Sequence, residues 1–117
     1  MKNLRNKVQL IGNLGMDPEV KVLTNGNKLV KFSLATTDFY KDQSGNRVKQ
    51  TQWHNVIAWG NLAKIVETYL KKGNEVAIEG KLVHREYEAK DGNKRYFTEI
   101  VADDMVMLRK PESTNKK

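Results

Sequence analysis

Cysteine is absent from this 117-residue chain, so it has no disulfide, no thiolate metal site and no thiol nucleophile. Long apolar runs are missing as well, which excludes a helical membrane span. The first ten residues, MKNLRNKVQL, lack the apolar stretch of a secretory signal, and a soluble, intracellular protein is expected. No repeat of 20 to 50 residues and no glycine-rich phosphate loop is present. His54 and His84 stand far apart with no carboxylate companion at ligand spacing. Asp103 and Asp104, as neighbours on a strand, are expected to point to opposite faces rather than chelate together. No metal, no cofactor and no catalytic activity are expected.

What the chain has is positive charge. Lys and Arg number 21 against 14 Asp and Glu, a formal net charge of +7. Such a surface attracts polyanions through its field and through counterion release, and nucleic acid is the leading partner class. The length fits one domain. Composition stays even until Arg109, after which RKPESTNKK holds no apolar residue. Residues 1–108 are therefore taken as the domain and 109–117 as a short, basic, disordered tail.

Within the domain, hydropathy alternates with the period of strands. Val8, Leu10, Gly12 and Leu14 fall on one face, with Gly12 marking a bulge or tight bend. Val20–Leu23 and Lys28–Thr37 flank Asn25-Gly26, a strong hairpin signal, and Val30, Phe32 and Leu34 form the apolar side of the second arm. Residues 39–47, FYKDQSGNR, read as a polar loop, and a strand returns from Val48 to about Trp59. In residues 61–73, Leu62, Ile65, Val66, Tyr69 and Leu70 recur at helical spacing, with Asn61 as the expected cap and Gly73 as the stop. Tyr69 is assigned to packing. Two more strands follow, residues 75–87 and 95–108, joined at Asp91-Gly92. Three strands, a helix and two strands predict an all-β OB-fold, a five-stranded Greek-key barrel with one short helix between strands 3 and 4.

Strand parity then gathers a chemistry. Trp53, Asn55, Ile57 and Trp59 share one face, and on the fourth strand Lys81, Val83, Arg85 and Tyr87 share the face opposite Val76, Ile78 and Leu82. Tyr40, beside Lys41, extends the set. Rings present π-faces to bases while cations line the backbone, which suits a single strand of nucleic acid. A lone strand tryptophan is more often core, and lysines are usually solvated surface. Phe32, Tyr96 and Phe97 are assigned mainly to the core or to subunit contacts. The conjunction of basic charge, barrel order and adjacent rings and cations favours nucleic acid. Candidate phosphate contacts are Lys7, Lys41, Lys64, Lys72, Lys81 and Arg85.

Five segments, NKVQLIGNLGMDPEV (6–20), FSLATTDFYKD (32–42), QTQWHNVIAWGNLAKI (50–65), YLKKGNEVAIEGKL (69–82) and RYFTEIVADDM (95–105), together resemble the bacterial single-stranded DNA-binding protein family. The resemblance covers about residues 4–108. It implies an OB-fold that assembles as a cytoplasmic, nucleoid-associated homotetramer and wraps single-stranded DNA during replication, recombination and repair. By position, the family's stacking aromatics correspond to Tyr40, Trp53, Trp59 and Tyr87, and His54 falls near subunit contacts. The family most often has Trp where this chain has Tyr40 and Tyr87, and commonly Phe at Trp59. Members typically continue into a Gly, Pro and Gln-rich tail with an acidic tip that recruits other proteins; this sequence ends Thr114-Asn115-Lys116-Lys117, so that recruitment is not carried over. The competing reading is an OB-fold module that binds RNA or serves a replication-restart assembly, because stacking does not sense the 2′-hydroxyl.

Overall fold

The computed structural model describes residues 4–109. Six strands and one helix follow in the order β1 (Val8–Leu14), β2 (Glu19–Val22), β3 (Lys28–Lys41), β4 (Arg47–Trp59), α1 (Gly60–Tyr69), β5 (Glu75–Glu88) and β6 (Lys94–Arg109). Five of the strands close on themselves: β1 pairs with β5, β5 with β6, β6 with β4, β4 with β3, and β3 again with β1. All pairings are antiparallel except the short parallel contact between Asn55–Ile57 and Glu99–Val101. β2 is a four-residue arm on β3 and takes no part in closing the barrel. The helix lies between the third and fourth barrel strands, so the architecture is the expected OB-fold. The tail expected at 109–117 lies, beyond Arg109, outside the described residues. Among the described residues no helix is long and apolar enough to cross a membrane.

Alternation along the strands fills the barrel. Val30, Phe32 and Leu34 from β3, Val56 and Ala58 from β4, Val76 and Ile78 from β5, and Ile100 and Ala102 from β6 are all buried in one cluster, with Leu14 of β1 closing it. The helix plugs one end with Ala63, Val66 and Leu70. Gly12 sits where β1 passes from β5 to β3, and a Cβ there would collide with the Ala35 carbonyl. The bend expected at Gly12 is thus a close backbone approach.

The three hairpin turns share one chemistry. Each has the sequence Xaa-Gly-Asn, at residues 25–27, 44–46 and 91–93. In each, the residue two before the first donates its N–H to the Asn carbonyl and accepts from the Gly N–H, as Leu23 does with Asn27 and Gly26. The glycines have φ of 88°, 86° and 85°, a region that only glycine enters without strain. Asn25, Asp42 and Asp91 add side-chain acceptors for the turn amides. For Asp91, the Asn93 backbone N–H, aided by the Asn93 and Arg95 side chains, holds the carboxyl below its ordinary value.

Several local expectations are corrected. Residues 39–47 are not a loop throughout, because β3 and β4 stay paired out to Lys41 opposite Arg47 and only 42–46 turn. Asn61 does not cap the helix; Trp59 takes that position in extended conformation, with no side-chain cap bond, and Gly60 makes the strand-to-helix turn at φ 62°. The helix ends at Leu70, whose N–H bonds the Val66 carbonyl, before Gly73 is reached. Gly73 instead donates its N–H to Leu14. Tyr69 is 60% exposed, since Ala63, Val66 and Leu70 define the buried stripe and Tyr69 falls on its rim.

Candidate nucleic-acid interface

The β3–β4 ladder runs without a register shift from Leu29 opposite Trp59 to Lys41 opposite Arg47, so odd-numbered residues of both strands occupy the outer face. Trp53 stands on that face and is 62% exposed, far from the core position a lone tryptophan usually takes. Its indole lies over Gly15 at the end of β1, where an added Cβ would collide with the ring and come within 3.1 Å of Ser33 Oγ. Gly15 is in turn fixed by its N–H to the Ser33 carbonyl, 3.0 Å. A groove of about 180 Å³ farther along the ribbon is lined by Met16, Glu19, Lys31, Ser33 and Asn55. An exposed ring over a glycine floor, on a face that also carries lysines, is an arrangement that stacks a base and neutralises phosphates of the same strand.

Trp59 shares the parity of Trp53 six strand steps away, about 20 Å at ~3.3 Å per residue, and is also exposed. Ile57 lies between them but is buried, opposite Lys31 and Val101, so the outer face is not open along its whole length.

The β5–β6 hairpin adds rings. Tyr87 is exposed and meets Phe97 edge-on, with ring centres 5.7 Å apart and planes inclined at 66°. Phe97 therefore supports Tyr87 rather than filling the core. Of the other two rings assigned to core or contacts, Phe32 is buried and Tyr96 is exposed. Tyr40 is exposed near the tip of the β3–β4 hairpin, but as an even-numbered residue it leaves the ribbon on the face opposite Trp53.

The candidate phosphate contacts are dispersed. Lys41 lies on the Trp53 face at the hairpin tip. Arg85 Nε is 2.6 Å from Glu99 Oε1, and Glu99 is only 5% exposed. Arg85 thus first neutralises a buried carboxylate on the outer face, directly beside Asn55. Lys7 is ion-paired with Glu79. Lys81 is exposed near Lys7, Asp103 and Asp104, which line one cleft of about 410 Å³. A β-bulge at Glu79–Gly80 breaks the alternation expected for the two aspartates. Among the described residues no group of three His or carboxylate side chains converges for a metal. Lys64 sits on α1 and Lys72 after it, where its backbone N–H bonds Asp17 Oδ1 at 2.8 Å. Neither lies on the Trp53 face.

Sequence reasoning missed Lys31, Arg47, Lys49 and Phe39, all odd-numbered and hence on the face of Trp53. Parity counted outward from Trp53 reaches Lys31 and Lys49 within the strands already expected, and reaches Phe39 and Arg47 once residues 39–47 are read as paired strands. His54 is half-buried, its Nε2 2.9 Å from Thr36 Oγ1. His84 Nδ1 likewise lies 2.8 Å from Thr98 Oγ1.

Comparison with known proteins bears on this geometry. The model of the single-strand binding protein family matches residues 5–108. The chain is similar to Single-stranded DNA-binding protein 1 of Xylella fastidiosa strain 9a5c, 49% identical over 112 residues, which are 95% of this chain and 82% of that one. It is similar also to Single-stranded DNA-binding protein 1 of Chlorobaculum tepidum, 50% identical over 109 residues, 92% of this chain and 67% of the relative. Among solved structures, a Plasmodium falciparum SSB complex with ssDNA superposes with a TM-score of 0.84 at 31% identity, over 92% of this chain and 98% of that one.

Proposed function

As the chain belongs to the single-strand binding protein family, we propose that it binds single-stranded DNA with little sequence preference, by base stacking on exposed aromatics and neutralisation of phosphates. The observation that carries this reading is Trp53, exposed over Gly15 on a face of the β3–β4 ribbon that also carries Lys31 and Lys41. Trp59 and the Tyr87–Phe97 pair provide further stacking surface. Tyr40 joins through the opposite side of the hairpin. Lys31, Lys41 and Lys81 are the phosphate contacts that the geometry favours, while Arg85 acts mainly through Glu99. Duplex binds far more weakly, because its bases are already stacked on one another.

In the cell the protein protects and organises exposed strands during replication, recombination and repair in the bacterial cytoplasm. It works as a homotetramer. Support for assembly comes from Ile11, which is exposed and in register through Ala77 with exposed Val106 across β1, β5 and β6, with Leu108 close by. Exposed apolar side chains in such a row favour burial against another subunit. His54 contacts a neighbouring subunit in this reading and does no chemistry.

The test is binding of a labelled oligo-dT, followed by anisotropy, to the wild type and to Trp53→Ala. Loss of Trp53 is expected to cost about 1–3 kcal/mol, with the circular dichroism spectrum unchanged. A loss below a few tenths of a kcal/mol would remove Trp53 from the binding face.

A further inference from the structure

The β3–β4 hairpin carries a second ring and cation cluster beyond Trp53. Because its ladder is unbroken, Phe39, Lys41, Arg47 and Lys49 share the outer face, and Asp38 and Tyr40 share the other. The Arg47 guanidinium carbon lies 3.9 Å from the centre of the Phe39 ring. Phe39 is half exposed, so its ring adds nothing to the barrel core. Arg47, Lys41 and Lys49 join no ion pair among the described residues. No acidic side chain of the paired strands lies on this face of the ribbon tip. An exposed ring under a planar cation, flanked by two free ammonium groups, matches one nucleotide: the base stacks on the ring and guanidinium, and the ammonium groups meet its phosphates.

We propose that Phe39 and Arg47, with Lys41 and Lys49, form a further contact site for single-stranded DNA at the tip of this hairpin. It lies four strand steps beyond Trp53, about 13 Å at ~3.3 Å per residue, so one strand passes from the Trp53 ring along the outer face to the tip. Phe39 continues the path from Trp53 on the same face, and Tyr40 serves a strand on the other side of the ribbon. The inference rests on the single-strand-binding reading above and adds to it a site built from residues peculiar to this face.

Two measurements test it. Phe39→Ala is expected to weaken binding of an oligo-dT long enough to reach the tip by about 5- to 150-fold, and Arg47→Ala to reduce the salt slope by about 0.7. In a Trp53→Phe, Trp59→Phe background, Phe39→Trp leaves a single fluorophore at the tip, and oligo-dT is expected to quench it. Wild-type affinity for Phe39→Ala would overturn the site and leave the broader reading intact. So would an unquenched tip fluorophore in a protein whose bound strand is registered by anisotropy. Failure of the wild type to bind oligo-dT at all would instead remove both.

Discussion

Replacing Gly15 by alanine isolates the floor beneath Trp53. The new Cβ occupies space now filled by the outer edge of the indole and comes within 3.1 Å of Ser33 Oγ, so the ring must swing away. Gly15 has no positive φ, and alanine fits its backbone without strain. The unfolded chain loses freedom, which by itself stabilises by about 0.4–1 kcal/mol. Displacing a ring that is already mostly in solvent costs little against this. Stability should therefore stay level or rise, while the stacking contribution of Trp53, about 1–3 kcal/mol, is partly or wholly lost, up to about 150-fold in affinity. The assay pairs thermal unfolding with an oligo-dT titration on the same preparation. A variant with wild-type affinity and wild-type tryptophan quenching would refute the claim that Gly15 positions the ring. Equal losses of stability and binding would show that the glycine serves the fold instead.

Other perturbations separate core, ion pair and turn. Leu34→Ala removes a fully buried side chain and should destabilise by about 2–5 kcal/mol in denaturant unfolding; a loss under about 1 kcal/mol would contradict its place in the core. Arg85→Ala leaves the Glu99 carboxylate without its guanidinium and should destabilise by roughly 1–3 kcal/mol, with most of the loss restored by adding Glu99→Gln. Additive effects of these two substitutions would mean that the pair is not coupled. Asp91, whose carboxyl is held low first by the Asn93 N–H, supports the β5–β6 turn above its ordinary value, and that support is lost as pH falls through the lowered one. The Asn93 amide resonance should titrate below the ordinary aspartate value, and a midpoint at or above it would contradict the turn geometry.

Much of the barrel was legible because its strands alternate cleanly. Val30, Phe32 and Leu34 declare a buried face by period alone, and Asn25-Gly26 and Asp91-Gly92 declare turns by backbone freedom. The face of Trp53 was legible too, since parity set it with Asn55, Ile57 and Trp59, but a lone strand tryptophan reads as core, and only the conjunction with basic charge and neighbouring cations argued for its exposure. The length of the β3–β4 hairpin was hidden, because FYKDQSGNR is polar and the extension depends on Asp42 satisfying the Ser44 and Asn46 amides within a short turn. Phe39 and Arg47 were hidden with it. The role of Arg85 depends on Glu99, more than a dozen residues away and buried by the pairing of β4, β5 and β6, which no local pattern reveals. Tyr69 fits helical spacing, yet α1 is only ten residues long and meets the barrel along a narrow stripe.

The central claim, that exposed tryptophans on the outer face stack bases of a single strand, is tested most directly by intrinsic fluorescence. Trp53 and Trp59 are the only tryptophans in the chain, so every change in that signal comes from the proposed face. The protein is titrated with oligo-dT at low and high salt, and with duplex of equal length. Strong quenching by the single strand, affinity that falls as salt rises, and little response to duplex are expected. Equal quenching by duplex, or single-strand binding that leaves the tryptophan signal unchanged, would contradict the claim.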